Sequence, residues 1–218
     1  MRRIAFFGGS FDPVHRGHLN IAEALTDQFQ LDEFVFIPAF HAPHKVRLKP
    51  TSAYDRYTML CLATAGDERS KISRIEIEAP ERPFAVETLT ELKTQLPDAE
   101  IFFVMGADSW MDIPTWREWT KVLTMVNHII MTRPGAEIGF DHVSKDIQER
   151  IVDLRADTQR IKLSAPDDYS SRIFLVDSVC MRISATDIRQ RVRAEDESWH
   201  EDVTPEVANY IEKYQIYK

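Results

Sequence analysis

Cysteine, long apolar runs and surplus positive charge are all scarce in this sequence. Only Cys61 and Cys180 are cysteines among 218 residues, too few for a disulfide framework. Both sit among apolar neighbours, which predicts buried thiols in a reducing compartment, the cytoplasm. No apolar stretch approaches the ~18 residues of a membrane span. The opening Met1-Arg2-Arg3 is followed by only four apolar residues, Ile4 to Phe7, shorter than the apolar core of a secretory signal. With 27 Lys and Arg against 35 Asp and Glu, the net charge is −8. That balance lacks the basic face of a general nucleic-acid binder. The expectation is therefore no nucleic-acid and no membrane partner. What is present, 44% apolar and 28% charged residues, is the composition of one globular domain spanning 1–218, long enough to bury a core. Net charge is silent about a small anion held in a local pocket.

Apolar strands alternate with amphipathic helices from the start. Residues 3–7 form a short apolar run stopped by Gly8-Gly9, and 17–29 place Leu19, Ala22, Leu25 and Phe29 at helical spacing. A second strand at 34–37 ends at Pro38. Residues 52–65 read as a helix with Ser52 as N-cap and Tyr57, Leu60, Cys61 and Thr64 near one face. An alternating run at 72–77 reads as a strand, and 86–96 as a helix closed by Pro97. Strands follow at 101–105 and 128–131, a helix at 143–154, a strand at 173–176, and helices at 185–193 and 205–214. The strands are continuously apolar, so the α/β pattern predicts a doubly wound parallel sheet covered on both faces. A small helical part from about 184 to 218 packs on it. The polar stretch 158–171 interrupts the pattern as a surface excursion. Sheets of this kind bind ligands beyond the carboxyl ends of their strands, which directs attention to the loops after Phe7, Ile37, Met105 and Met131.

The first of those loops reads Gly8-Gly9-Ser10-Phe11-Asp12-Pro13-Val14-His15-Arg16-Gly17-His18. It lacks the terminal Gly-Lys-Ser/Thr of a Walker loop and is not a Gly-x-Gly-x-x-Gly fingerprint. Its physics still suits phosphate. Two glycines after a buried strand permit close backbone approach. A helix starting near Gly17 offers free N–H groups and a partial positive end to an anion. His15 and His18, three residues apart, can face one ligand. The alternative is a plain turn with surface or core histidines.

The loop is similar to the signature of the nucleotidyltransferase superfamily that carries a (His/Thr)-x-Gly-His motif. Ile183-Ser184-Ala185-Thr186-Asp187-Ile188-Arg189 resembles that superfamily's second motif, Ile-Ser-Ser-Thr-x-Ile-Arg. Pro43-His44-Lys45, Gly106-x-Asp108-Ser109, Pro114-Thr115-Trp116 and Arg133-Pro134-Gly135 narrow the resemblance to bacterial nicotinate-mononucleotide adenylyltransferases. It runs from residue 3 to about 214.

The resemblance implies a Rossmann-like fold and the transfer of the AMP moiety of ATP onto nicotinate mononucleotide, giving nicotinate adenine dinucleotide and pyrophosphate for NAD biosynthesis. By carry-over, His18, His15 and Arg189 are catalytic. Gly8, Gly9, Ser10, Phe11, His15, His18, Gly106, Asp108, Ser184, Thr186 and Arg189 bind ATP. His44, Lys45, Phe84, Ala85, Trp116 and Arg133 bind the mononucleotide. No side-chain metal cage is implied; Mg2+ rides on the ATP phosphates. Local alternatives are an N-cap role for Asp108, a core position for Trp116, as for Trp119, and a solvated basic loop at His44 and Lys45. A homo-oligomer is left open.

Three departures stand out. Ser10 replaces the family's commoner Thr, and Ala42 loosens a Pro-Pro-His pattern. The family's Ser-Tyr-Thr-x-x-Thr-Leu, which helps hold the pyridine carboxylate at a helix start, is here Pro83-Phe84-Ala85-Val86-Glu87-Thr88-Leu89. Two hydroxyls are lost and Pro83 has no N–H to donate. Other acceptors, nicotinamide mononucleotide or pantetheine phosphate, stay open, as does a non-catalytic nucleotide sensor. Charge is distributed unevenly. Residues 41–50 carry Lys45, Arg47 and Lys49 with no acid, and 181–193 carry four arginines against Asp187, so two basic segments are expected beside the phosphates.

Overall fold

The computed structural model describes residues 1–40, 51–132, 138–155, 171–177 and 183–218. Expectations for His44, Lys45, Arg133 and Cys180, and for the polar stretch up to residue 170, lie outside the described residues. In chain order the strands are β1 (Arg2–Gly9), β2 (Glu33–Pro38), β3 (Ser70–Ile72), β4 (Ala99–Gly106), β5 (Asn127–Met131), β6 (Ile151–Asp153) and β7 (Ile173–Val176). The helices are α1 (Arg16–Phe29), α2 (Ala53–Ala63), α3 (Ala85–Gln95), α4 (Ala107–Met111), α5 (Trp119–Met125), α6 (Lys145–Gln148), α7 (Ala185–Arg193) and α8 (Pro205–Lys213), with 3-10 turns at Ile113–Thr115 and Glu197–Asp202.

The strands form one seven-stranded parallel sheet in the order β3-β2-β1-β4-β5-β7-β6. Strand order reverses between β1 and β4, whose parallel register runs from Arg2 opposite Ala99 to Phe7 opposite Val104. That is a topological switch point, where such sheets take ligands. Ile4 to Phe7, Ile101 to Met105 and Ile173 to Val176 are buried along their lengths, as strands covered on both faces must be. No helix of the described residues is long and apolar enough to cross a membrane.

Two compact units divide the chain. One comprises Met1–Phe7, Ala24–Phe34 and Pro83–Cys180; the other comprises Gly8–Glu23, Val35–Arg82 and Met181–Lys218. The first contains most of the sheet. Phe29 meets Phe102 and Phe174 edge-on, with ring centroids 5.6 and 5.3 Å apart, the geometry that aromatic quadrupoles favour. Trp110 is fully buried and donates its indole N–H to Gly139 O at 3.0 Å. The core tryptophan of this unit is thus Trp110, while Trp119 is half-buried at the start of α5.

In the second unit Ser52 caps α2 as its position predicts. Its oxygen accepts from Asp55 N at 3.0 Å while its hydroxyl donates to Asp55 Oδ2 at 2.6 Å. Tyr210 of α8 donates to Asp55 Oδ1 at 2.8 Å and ties α8 to α2. Arg191 pairs with Asp187 at 2.9 Å and with Asp202, joining α7 to the turn at Glu197–Asp202.

Two expected elements differ. The helix expected over 143–154 is only α6, followed by β6 on the edge of β7, with Ile151 opposite Ile173. Val143 and Ile147 satisfy the helical spacing and are buried. Beyond them the β-branched Ile151 and Val152 find ladder partners instead, and Leu154 N donates to Leu175 O at 2.9 Å. The strand expected over 72–77 ends at Ile72. Ser73 Oγ accepts from Ile75 N at 3.2 Å, and Glu78 N reaches Arg74 O at 2.9 Å, which turns the chain. Cys61 is half-buried rather than fully buried.

His128 on β5 is fully enclosed. Its Nδ1 donates to Val126 O at 3.0 Å, Nε2 has no hydrogen-bond partner among the described residues, and burial pushes its pKa down to about 4. The unfolded chain binds this proton near pH 6.5 and the folded chain does not. Stability from this group is therefore complete above pH 6.5 and is lost as pH falls toward 4. In His128→Asn, denaturant titrations between pH 6.5 and 4 should lose a pH slope of up to about 1.4 kcal/mol per pH unit. An unchanged slope would contradict the neutral assignment.

Candidate active site

The loop leaving β1 is shaped by close packing. A Cβ on Gly9 would lie 2.8 Å from Phe11 Cζ, so only glycine fits there. Phe11 takes a left-handed φ of 46°. Its buried ring meets His18 and Phe36 edge-on at 5.0 and 5.4 Å. Gly9 O accepts from Ala39 N at 2.9 Å.

Arg56 of α2 fastens this region from beneath. It is 1% exposed, and its guanidinium donates to Ser10 O at 2.6 Å, Ala39 O at 2.5 Å and Thr51 O at 3.2 Å. One planar fork thus holds carbonyls from three chain segments. The sequence reading gave Arg56 no role. On the α2 pattern it falls at the start of a buried face with Met59 and Leu60, and a charged residue there was the available signal.

His15 and His18 stack with ring centroids 3.7 Å apart and planes 25° from parallel. The His15 backbone N–H donates to His18 Nδ1 at 3.2 Å. An accepting Nδ1 places the proton of the neutral ring on Nε2. Burial, then the neighbouring His15, pushes the His18 pKa well below its usual value. Burial outweighs the carboxylate of Asp202 and brings His15 down to about 4. His15 Nδ1 is buried with no hydrogen-bond partner among the described residues, a costly state unless a ligand uses it. A Cβ on Gly17 would stand 3.0 Å from that atom, so Gly17 leaves the ring its place.

The second motif opens α7, with Ser184 at the N-cap. Arg189 is 7% exposed; its Nη1 donates to Asp12 O at 2.5 Å and its Nη2 to Thr186 Oγ1 at 3.0 Å. Because Thr186 Oγ1 accepts from Arg189, its own proton is directed elsewhere, as a donor. Asp12 Oδ1 accepts in turn from Tyr217 OH at 2.8 Å. The basic excess expected here is smaller than the sequence count. The Arg191 charge faces Asp187 and Asp202, and Arg182 lies outside the described residues.

Gly8, Gly9, Ser10, Phe11, His15, His18, Ser184, Thr186 and Arg189 therefore share one unit, with Arg56, Asp12 and Tyr217 added by the structure. Gly106, Asp108, Phe84, Ala85 and Trp116 belong to the other. There Gly106 is the N-cap of α4, and Asp108 is exposed inside the first helical turn, not the cap. Trp116 is half-buried, its backbone N–H donating to Ile113 O at 2.9 Å. At the start of α3, the Phe84 N–H donates to Glu87 Oε2 at 2.9 Å. Arg117 bonds Glu87 Oε1 at 3.1 Å and lies 5.0 Å from the exposed Phe84 ring centre. Among the described residues no group of three or more His, Cys, Asp or Glu is arranged to hold a metal ion.

A family model described as cytidylyltransferase-like matches residues 6–191. A protein of Corynebacterium glutamicum named "Probable nicotinate-nucleotide adenylyltransferase" is 34% identical over 99% of this chain and 88% of its own length. A protein of the same name from Thermoanaerobacter is 36% identical over 99% and 94%. Among solved structures, the Plasmodium falciparum nicotinic acid mononucleotide adenylyltransferase complexed with NaAD superimposes with a TM-score of 0.71 at 18% identity, covering 100% and 98% of the two chains. That likeness concerns the fold.

The histidine geometry is directly checkable. At pH 7, 15N–1H correlation spectra should show His18 as the neutral Nε2–H tautomer and His15 still neutral at pH 6. An imidazolium pattern for either ring at pH 6 would contradict the arrangement.

Proposed function

This chain belongs to the nicotinate-nucleotide adenylyltransferase family of cytidylyltransferase-like enzymes, and from that premise we propose how it joins nicotinate mononucleotide to the AMP moiety of ATP. A phosphate oxygen of the mononucleotide attacks the α-phosphorus of ATP in line. The bond from that phosphorus to the bridging oxygen breaks, and its electron pair leaves on pyrophosphate. The nucleophile is already ionised at neutral pH, so no general base is required. Catalysis reduces to orientation and to stabilising charge on the transferring and leaving groups.

The observation that carries this reading is that one unit brings together the Nε2–H of His18, the unpartnered His15 ring nitrogen and the Thr186 hydroxyl that accepts from Arg189. His15 and His18 contact the ATP phosphates, and His18 is oriented by the His15 amide for the transition state. Ser10 and the backbone of Gly8, Gly9 and Phe11 line the α-phosphate path. Thr186, the start of α7 after Ser184 and the Arg189 fork meet the β- and γ-phosphates. Gly106 and Asp108 take the ribose side, and Trp116 stacks on the pyridine ring. His44, Lys45 and Arg133 meet the mononucleotide phosphate. These side chains are phosphate donors and not a carboxylate cage, which suits Mg2+ arriving with ATP as part of the substrate. ATP as substrate and a sequence with only two cysteines suit the cytoplasm.

One observation favours a second acceptor. Glu87 occupies the Phe84 amide and brings a carboxylate to the α3 start, where the family holds the pyridine carboxylate. Arg117 partly offsets that charge. The amide nucleotide, which lacks the negative group, is less disfavoured here than Phe84 and Ala85 alone imply. Glu87→Gln should therefore raise the ratio of kcat/KM for nicotinate over nicotinamide mononucleotide by about tenfold, the scale of 1.4 kcal/mol. A falling ratio would place Glu87 outside the pyridine site.

Pyrophosphate release from ATP should require nicotinate or nicotinamide mononucleotide and should be absent with 4′-phosphopantetheine. His18→Ala should lower kcat by ~10²-fold or more, the scale of losing one donor to developing charge. No release with either mononucleotide would overturn the reading.

A further inference from the structure

Tyr217 lies beyond α8, outside both motifs, yet its half-buried side chain reaches the first of them. It donates to Asp12 Oδ1 at 2.8 Å. Asp12 is 6% exposed, and its carbonyl is the acceptor for Arg189 Nη1. The other arm of Arg189 reaches Thr186 Oγ1. A continuous run of hydrogen bonds thus leads from Tyr217 through Asp12 and Arg189 to the Thr186 hydroxyl. All four residues lie in one compact unit.

Three further observations mark the phenol as placed rather than incidental. Gln215 and Tyr217 carry left-handed φ values of 55° and 75°, a backbone state that persists where the surroundings over-determine it. Burial, and next the Asp12 carboxylate, raises the phenol's pKa well above its ordinary value, so the hydroxyl stays a donor. The positive charge of Arg56 lies close enough to act on both Asp12 and Tyr217. Without a donor, the buried Asp12 carboxylate would be drawn toward one or other of the two guanidinium groups. Its backbone, and the carbonyl that orients Arg189, would move with it.

We propose that Tyr217 is a positioning residue for adenylyl transfer: it holds Asp12 so that Arg189 and Thr186 are set for the β- and γ-phosphates of ATP. The proposal rests on the assignment of Thr186 and Arg189 to those phosphates. Tyr217 itself touches no substrate. Its contribution is to fix two groups that meet charge on the departing pyrophosphate, so its loss falls on turnover and on ATP rather than on the mononucleotide.

The test compares Tyr217→Phe with the parent enzyme in pyrophosphate release, in both the native and the Arg189→Lys background. Turnover by the parent enzyme checks the underlying reading on its own; only the variant ratios check this proposal. Tyr217→Phe should lower kcat about tenfold, a fraction of the loss that a 1 Å misplacement causes. The KM for the mononucleotide should change by less than about twofold. In the Arg189→Lys background the same substitution should cost less than about twofold, because residues acting through one network are not additive. A kcat unchanged in Tyr217→Phe would overturn the proposal. So would an equal loss in both backgrounds, or a fall in thermal midpoint with turnover intact.

Discussion

Two buried guanidinium groups gripping backbone carbonyls are the interaction on which the unit carrying both motifs depends. Arg56 holds the carbonyls of Ser10, Ala39 and Thr51, and Arg189 holds that of Asp12. Burying either charge is costly unless several good hydrogen bonds offset it. The offset here comes from carbonyls that a tight loop cannot satisfy within itself. The same bonds that make the arginines tolerable therefore define the loop. Gly9 and Gly17 complete it by leaving room for the Phe11 and His15 rings.

This arrangement explains how an acidic chain handles two polyanions. The net charge is −8, and one of the arginines beside the second motif is neutralised by Asp187 and Asp202. On the proposed reading, local attraction comes from Arg189 together with preorganised dipoles: two histidines kept neutral by burial, the Thr186 hydroxyl that already accepts from Arg189, and the start of α7. Neutral donors fixed in place stabilise charge that develops during transfer without over-binding the ground state. A pair of cationic imidazoles stacked at 3.7 Å would repel one another, and the pKa shifts avoid that state.

The parallel sheet was legible because continuous apolar strands and capped helices are local signals; Ser52 and the strands at β1, β4 and β7 stand where the pattern places them. The loop after β1 stands out in the sequence through its glycines and paired histidines, and the structure packs them closely. What the sequence hid depends on partners distant along the chain. Arg56 reads as a helix residue until three carbonyls surround it, and Tyr217 reads as a surface tyrosine until Asp12 lies opposite. The helix expected over 143–154 fails where the edge of β7 captures Ile151. Glu87 has no role in the sequence pattern, and its hold on the Phe84 amide follows only from the bond itself.

On the proposed reading, the loop and its two arginines are set before ATP arrives. Crystal structures with and without a non-hydrolysable ATP analogue address it most directly. The backbone of residues 8–18 should shift by less than about 1 Å, as in preorganised sites, with the Arg189–Asp12 bond kept in both. A loop displacement beyond about 2 Å, with Arg189 leaving the Asp12 carbonyl to reach phosphate, would contradict it.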